Sequence, residues 1–249
     1  MDVAQKTQVN DLRAKFLEAH KGFKYPNVLV MGQSGSGKTR SICELDPKKT
    51  LLIVTEKSTL TFPKAKSFYE ANAVRELKDY RQIMGCIYNE SMRPEVDTIV
   101  VDSLTGMWRS ALKLAQSECK GFEVWDRFSN YVQEFLDLIM NIRQVVFVIA
   151  HSEKISANDN DAEYETEVVI EGKKIKKIPI SSQFELTLFS RKDYETDDNV
   201  RYVFYTNALR HTPAKSPEGM LERVIQNDLN FVLQKIKEYY KIYHFFLLK

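Results

Sequence analysis

Four short runs of consecutive apolar residues mark the first 150 positions: Val28-Leu29-Val30-Met31, Leu51-Leu52-Ile53-Val54, Ile99-Val100-Val101 after Thr98, and Val145-Val146-Phe147-Val148-Ile149-Ala150. Runs this short and unbroken predict strands covered on both faces, as in a parallel sheet. Helical spacing fills the gaps. Val9, Leu12, Phe16 and Leu17 recur among Asp11, Arg13, Lys15 and Glu18, so an amphipathic helix precedes the core and ends at Gly22 and Pro26. The segment between Met31 and Leu51 is long enough for one helix. Tyr80, Ile83, Met84 and Ile87 predict another. Phe128, Tyr131, Val132, Phe135, Leu136, Ile139 and Met140 outline the apolar face of a third. Alternating elements of this kind predict an α/β fold, a mainly parallel sheet between helices.

After His151 the pattern changes. Glu165 to Ile170 and Lys173 to Ile180 alternate apolar and charged residues around Glu171-Gly172, which predicts a hairpin occupying about residues 163–180. Phe184 to Ser190 and Val200 to Thr206, joined by the polar stretch Glu195 to Asn199, predict a second. Leu221, Val224, Ile225, Val232 and Ile236 predict a closing helix over about 219–243. The expected organisation is an N-terminal helical extension, 1–24, and one domain, 25–249, with C-terminal β-hairpins.

Composition changes this picture little. With 43% apolar residues in 249, one sizeable core can be buried. The 36 Lys and Arg nearly balance 34 Asp and Glu, so overall charge gives no argument for nucleic acid. Cys43, Cys86 and Cys119 are too far apart in sequence for a zinc or redox motif, and a reducing, cytoplasmic setting is expected. No run approaches the roughly 18 apolar residues of a membrane span, and the apolar tail from Tyr243 to Leu248 is too short for one.

The decisive motif is Gly32-Gln33-Ser34-Gly35-Ser36-Gly37-Lys38-Thr39, which satisfies G-x-x-x-x-G-K-[ST] between a predicted strand and a predicted helix. Glycines let the backbone curl until several N–H groups converge on a phosphate, aided by the positive end of the following helix. Lys38 then holds the β- and γ-phosphates of a bound ATP, and the Thr39 hydroxyl ligates magnesium. The candidate nucleotide contacts run from Gly32 through Thr39 to Arg40.

Val100-Val101-Asp102-Ser103 ends an apolar strand in a carboxylate, where a magnesium-orienting acid must stand, and Asp102 is the second metal candidate. Ser103 follows it rather than a second acid, so the group that polarises the attacking water must come from elsewhere. Glu56, after Leu51 to Val54 and Thr55, stands at the C-terminal edge of another strand and is the candidate.

These elements, in this order, resemble the RecA-like P-loop ATPases, in which the catalytic glutamate follows the strand after the phosphate-loop helix. More closely, Gly32 to Thr39, Leu52 to Glu56, Val100 to Thr105, Val148 to His151 and Ala214 to Met220 are similar to phage nucleotide-binding proteins that include the Sak-type single-strand annealing ATPases. The resemblance implies a RecA-like fold, ATP hydrolysis with magnesium, a likeness to DNA recombination and replication proteins, and single-stranded DNA, single-strand binding protein and further copies of the chain as partners. It places His151 where a polar side chain senses the γ-phosphate; a histidine that only packs is the competing reading. It places Lys215, or else Arg210, where a basic finger reaches a neighbouring subunit's nucleotide; an exposed lysine is the alternative. The segment carrying Lys173, Lys174, Lys176 and Lys177 would contribute to DNA binding, although Glu163, Glu165 and Glu167 offset that charge. A ring, a filament and a monomer all remain open. Rival functions are a nucleotide-switched assembly or helicase-loading factor with little turnover, and a nucleotide kinase, for which no arginine-rich lid is present.

Overall fold

The computed structural model describes residues 11–12, 14–56, 59–156, 164–170, 180–196, 199–208 and 212–247. A short helix, α1 (residues 14–19), precedes β1 (Val28–Gly32), which feeds the glycine-rich loop and a 3-10 turn over Thr39–Glu44. Then come β2 (Thr50–Val54), α2 (Ala65–Glu70), β3 (Val74–Glu76), α3 (Tyr80–Ser91) and β4 (Thr98–Asp102). Two helices, α4 (Leu104–Glu118) and α5 (Glu123–Met140), cross over to β5 (Val145–Ser156). The chain closes with β6 (Tyr164–Val168), β7 (Leu186–Thr196), β8 (Asn199–Tyr205), β9 (Val224–Gln226) and α6 (Leu229–Leu247).

The strands form one sheet in the order β3-β2-β4-β5-β1-β7-β8-β9, with β6 paired to β5 off this path. Every pair from β3 to β7 is parallel, whereas β8 and β9 add antiparallel strands at one side. Because side chains alternate along a strand, the apolar runs feed two separate cores. Leu29, Met31, Ile53, Ile99, Val101, Val146 and Val148 face α3, α4 and α5, where Ile83, Trp108 and Phe135 are fully buried. Val28, Val30, Leu52, Val54, Val100, Phe147 and Ile149 share the opposite core with Ile42, Phe68, Leu229, Val232 and Ile236. Trp108 packs edge-on to Phe135 at a centroid separation of 5.4 Å.

Caps define the ends of the site-bearing helices. The Asp79 carboxylate accepts from the Gln82 amide at the start of α3, and the Ser103 hydroxyl accepts from the Gly106 amide at the start of α4. α1 docks by stacking Phe16 on Tyr88, 4.7 Å apart, while buried His20 takes the Arg143 N–H at Nδ1 and contacts Ser91 Oγ through Nε2. That pairing makes Nε2 the protonated nitrogen, and burial, with Arg143 and Lys24 nearby, lowers the imidazole pKa.

Three elements differ from the sequence expectation. A six-residue 3-10 turn follows the glycine-rich loop in place of a full helix, because Leu45, Asp46 and Pro47 end it almost at once. Glu165 to Val168 pair with an extension of β5, Ser152 to Ser156, rather than being shown against the lysine-rich arm, and 171–179 lie outside the described residues. The closing helix starts at Leu229; Val224 and Ile225 belong to β9, since the β8 edge offers ladder partners that a helix could not use. The hairpin over Leu186–Tyr205 forms as expected.

Candidate functional site

β1, β2 and β4 end on one edge of the sheet, while β5 does not stop at His151 as a strand-end residue would require but runs on to Ser156, so Gly32, Val54, Asp102 and His151 come together where open parallel sheets place their ligands. Gly32 is level with His151, and Val54 with Asp102. The glycine-rich loop leaves Gly32 with Gly35 and Gly37 at φ +73° and +97°, conformations that suit glycine alone without strain. At Gly32, a Cβ would lie 2.5 Å from the Ser190 carbonyl oxygen, so the loop can only start this close to β7 without a side chain.

Lys38 is buried and folds back into the loop, where its ammonium donates to the carbonyls of Gly32 at 2.9 Å and Gln33 at 2.7 Å. Burial lowers its pKa to about 8, against the opposing pull of the Asp102 and Glu56 carboxylates. The next residue, Thr39, donates from Oγ1 to Asp102 Oδ2 at 2.7 Å. Desolvation raises the Asp102 pKa, with Glu56 adding to the rise; the Thr39 hydrogen bond, Lys38 and His151 hold it down.

Glu56 is carried to this edge by an interlock between β2 and β4. Thr55 Oγ1 donates to the Ser103 carbonyl at 2.6 Å and accepts from the Ser103 amide at 3.0 Å, and the Thr55 amide donates to the Asp102 carbonyl at 2.8 Å. The Asp102–Ser103 peptide is cis. Gly106, in the first turn of α4, permits the contact: a Cβ there would lie 2.5 Å from Thr55 Oγ1 and 2.7 Å from Glu56 Cγ. The Glu56 carboxylate then stands 3.6 Å from the Arg109 guanidinium and 3.7 Å from His151 Nε2. The His151 amide donates to Thr105 Oγ1 at 3.3 Å, fixing the backbone from which the imidazole projects.

Lys38, Thr39, Glu56, Asp102 and His151 therefore meet in one place, though they come from four segments of the chain. Gln33, Ser34 and Gly35 form the turn of the loop, and Ser36 is buried within it. Arg40 lies beside the loop, its guanidinium 5.3 Å from the Tyr202 ring centroid. Lys215 lies elsewhere: it pairs with Thr187 and donates to the Ser182 carbonyl at 3.3 Å. Arg210 and the lysines at 173, 174, 176 and 177 fall outside the described residues.

Several participants were not anticipated. Arg109 lies in the second turn of α4, at a spacing from Asp102 that carries no motif. Thr55 and Gly106 are found only through the close approach of β2 and α4. Ser190, Tyr202 and Asn227 come from the antiparallel side of the sheet, far from the loop in sequence.

A glycine-rich loop at the end of a central parallel strand, with its lysine buried and its threonine bonded to the acid of a neighbouring strand, defines the class of P-loop ATPases. A family model described as an AAA domain matches residues 24–217, and the chain belongs to that family. A comparison with curated proteins found no match. Among the described residues no helix is long and apolar enough to cross a membrane.

Proposed function

We propose that this protein hydrolyses ATP, with the Glu56 carboxylate polarising the attacking water. The reading is supported above all by the convergence of Lys38, the bonded pair Thr39–Asp102 and Glu56 on one edge of the sheet. In the step, a water oxygen bonds to the γ-phosphorus, the bond to the β-bridging oxygen breaks, and Glu56 takes the water proton. The Lys38 ammonium offsets charge on the phosphoryl oxygens, and His151 orients Glu56 across 3.7 Å.

Magnesium fits this donor set: the Thr39 hydroxyl and the Asp102 carboxylate are hard oxygen ligands already in contact at 2.7 Å. When bound, the ion neutralises phosphate charge. Desolvation of Asp102 favours the neutral acid until a cation balances it, which suits a carboxylate meant to receive one.

Hydrolysis serves DNA recombination or replication in this reading, with single-stranded DNA and a single-strand binding protein as partners and several copies of the chain assembling. Support comes from the resemblance to phage annealing ATPases and from Lys215, which bonds to Ser182 rather than to its own phosphate loop, as suits a residue acting on a neighbouring subunit's nucleotide. The test is ATP turnover with and without single-stranded DNA, for wild type and Lys38→Ala. Turnover that is absent in wild type under both conditions ends the enzyme reading.

One observation favours a nucleotide switch instead: Glu56 is already engaged by Arg109 and His151, as a restrained base would be. Under that reading nucleotide binds tightly, turnover is negligible and Glu56→Gln behaves as wild type.

A further inference from the structure

The phosphate loop is held from outside by a relay of buried side chains on the antiparallel side of the sheet. The Ser190 hydroxyl, on β7, donates to the Ser36 carbonyl at 2.8 Å. Asn227, between β9 and α6, donates from Nδ2 to Ser190 Oγ at 3.0 Å. Ser190, Asn227 and Ser36 are all buried, so water does not compete for these bonds. The Asn227 amide itself donates to the Tyr202 carbonyl at 3.3 Å, which anchors the far end of the relay on β8.

A peptide group is planar, and in its trans form the carbonyl of one residue and the amide of the next point in opposite directions. The Ser36–Gly37 peptide is trans. Pinning the Ser36 oxygen toward Ser190 therefore turns the Gly37 N–H away from β7. Gly37 also shows on which side the relay presses: a Cβ there would meet the Tyr202 ring at 2.5 Å and Asn227 Oδ1 at 3.2 Å. The outer wall of the loop is thus filled by β8 and the Asn227 side chain, so an anion cannot approach Gly37 from that side.

We infer that Ser190 and Asn227 are positioning residues for the polyphosphate, presetting the Gly37 amide as a phosphate donor before the nucleotide arrives. Neither side chain touches the ligand; they act through one peptide plane. The inference rests on the phosphate-loop reading but not on turnover, because a preset donor stabilises bound nucleotide whether or not it is cleaved.

The experiment measures the Kd of N-methylanthraniloyl-ATP with magnesium for wild type, Ser190→Ala, Asn227→Ala and the double variant, together with kcat, KM and the thermal midpoint without nucleotide. Ser190→Ala should weaken binding about tenfold, as expected for losing one buried hydrogen bond and the order it imposes. Asn227→Ala should weaken it about threefold, and the double variant should match Ser190→Ala because the bonds act in series. KM should rise with kcat held within about twofold. A merely structural role would lower kcat with the thermal midpoint and give additive losses. Unchanged Kd in Ser190→Ala, or additive losses in the double variant, overturns the relay while leaving the ATPase reading intact. Should Ser190→Ala fold poorly, Asn227→Ala tests the relay from its other end, and an unchanged Kd there overturns it equally. A wild-type protein that binds no nucleotide overturns both readings.

Discussion

The Nε2 of His151 stands 3.7 Å from the Oε2 of Glu56, although one lies within β5 and the other just after β2, with β4 between those strands. The contact spans β4, whose last residue is Asp102, so Glu56 is met by a side chain from the strand beyond it. That arrangement places two acids in different settings side by side: Asp102 against Thr39, and Glu56 between His151 and Arg109.

Glu56→Gln keeps the shape of the side chain and removes its basicity. Turnover should fall at least about a hundredfold, the usual scale of a lost general base, while nucleotide affinity stays within about threefold. Steady-state ATPase assays paired with equilibrium binding separate the two. Arg109→Ala should change turnover by less than about tenfold, because the arginine is largely exposed and its attraction for Glu56 is screened by solvent.

Nucleotide affinity should weaken as pH rises through about 8. Lys38 loses its proton near that value in the free protein, and a bound polyphosphate favours the charged form, so binding above it takes up a proton and affinity falls by up to about tenfold per pH unit. The effect on stability of the free protein has the opposite direction. Below pH 8 the lysine is charged in folded and unfolded chains alike; between about 8 and its ordinary 10.5 only the unfolded chain keeps the proton, so this group's contribution to stability rises with pH in that window. Titrating the affinity of wild type and Lys38→Met shows whether the slope belongs to this residue.

Gly106→Ala introduces a methyl group 2.5 Å from Thr55 Oγ1 and 2.7 Å from Glu56 Cγ. Helix propensity alone would make the change favourable by about 1 kcal/mol, yet overpacking of this kind costs about 1–3 kcal/mol, and relief requires moving Glu56 or the strand that carries it. The expected result is a folded protein with turnover reduced about tenfold or more, read from kcat and a circular dichroism melt. Retention of full activity would show that Glu56 does not need its present place.

Trp108→Ala should cost about 3–5 kcal/mol in chemical denaturation, because the indole is 1% exposed and fills the space between α4, Phe128 and Phe135. Its Nε1 has no partner among the described residues, so Trp108→Phe removes an unsatisfied donor and should cost much less.

The parallel half of the molecule was legible because its strands are short uninterrupted apolar runs and its loop is a complete motif. Asp102 and Glu56 were found by one rule, that acids at the ends of such strands gather on one edge. The rule says nothing of what holds them there. Thr55, Gly106 and Arg109 act through packing between elements, and residues as small as Thr55 and Gly106 leave no periodic trace. The antiparallel side was harder to read for a different reason: Val224 and Ile225 have a spacing compatible with a helix, and only the free edge of β8 decides for a strand. The six-residue turn that starts at Thr39 departs from the expected helix in its length, not its place.

The AAA-domain match stops at residue 217, yet Ile225, Leu229, Val232, Leu233 and Ile236 join Ile42 and Phe68 in the core on one side of the central strands. A fragment trimmed to the matched boundaries would expose that apolar wall to water and invite self-association. Expression of an active unit thus calls for the chain through α6, and the segment beyond the familiar boundary is as much a part of the folding unit as the loop that gives the class its name.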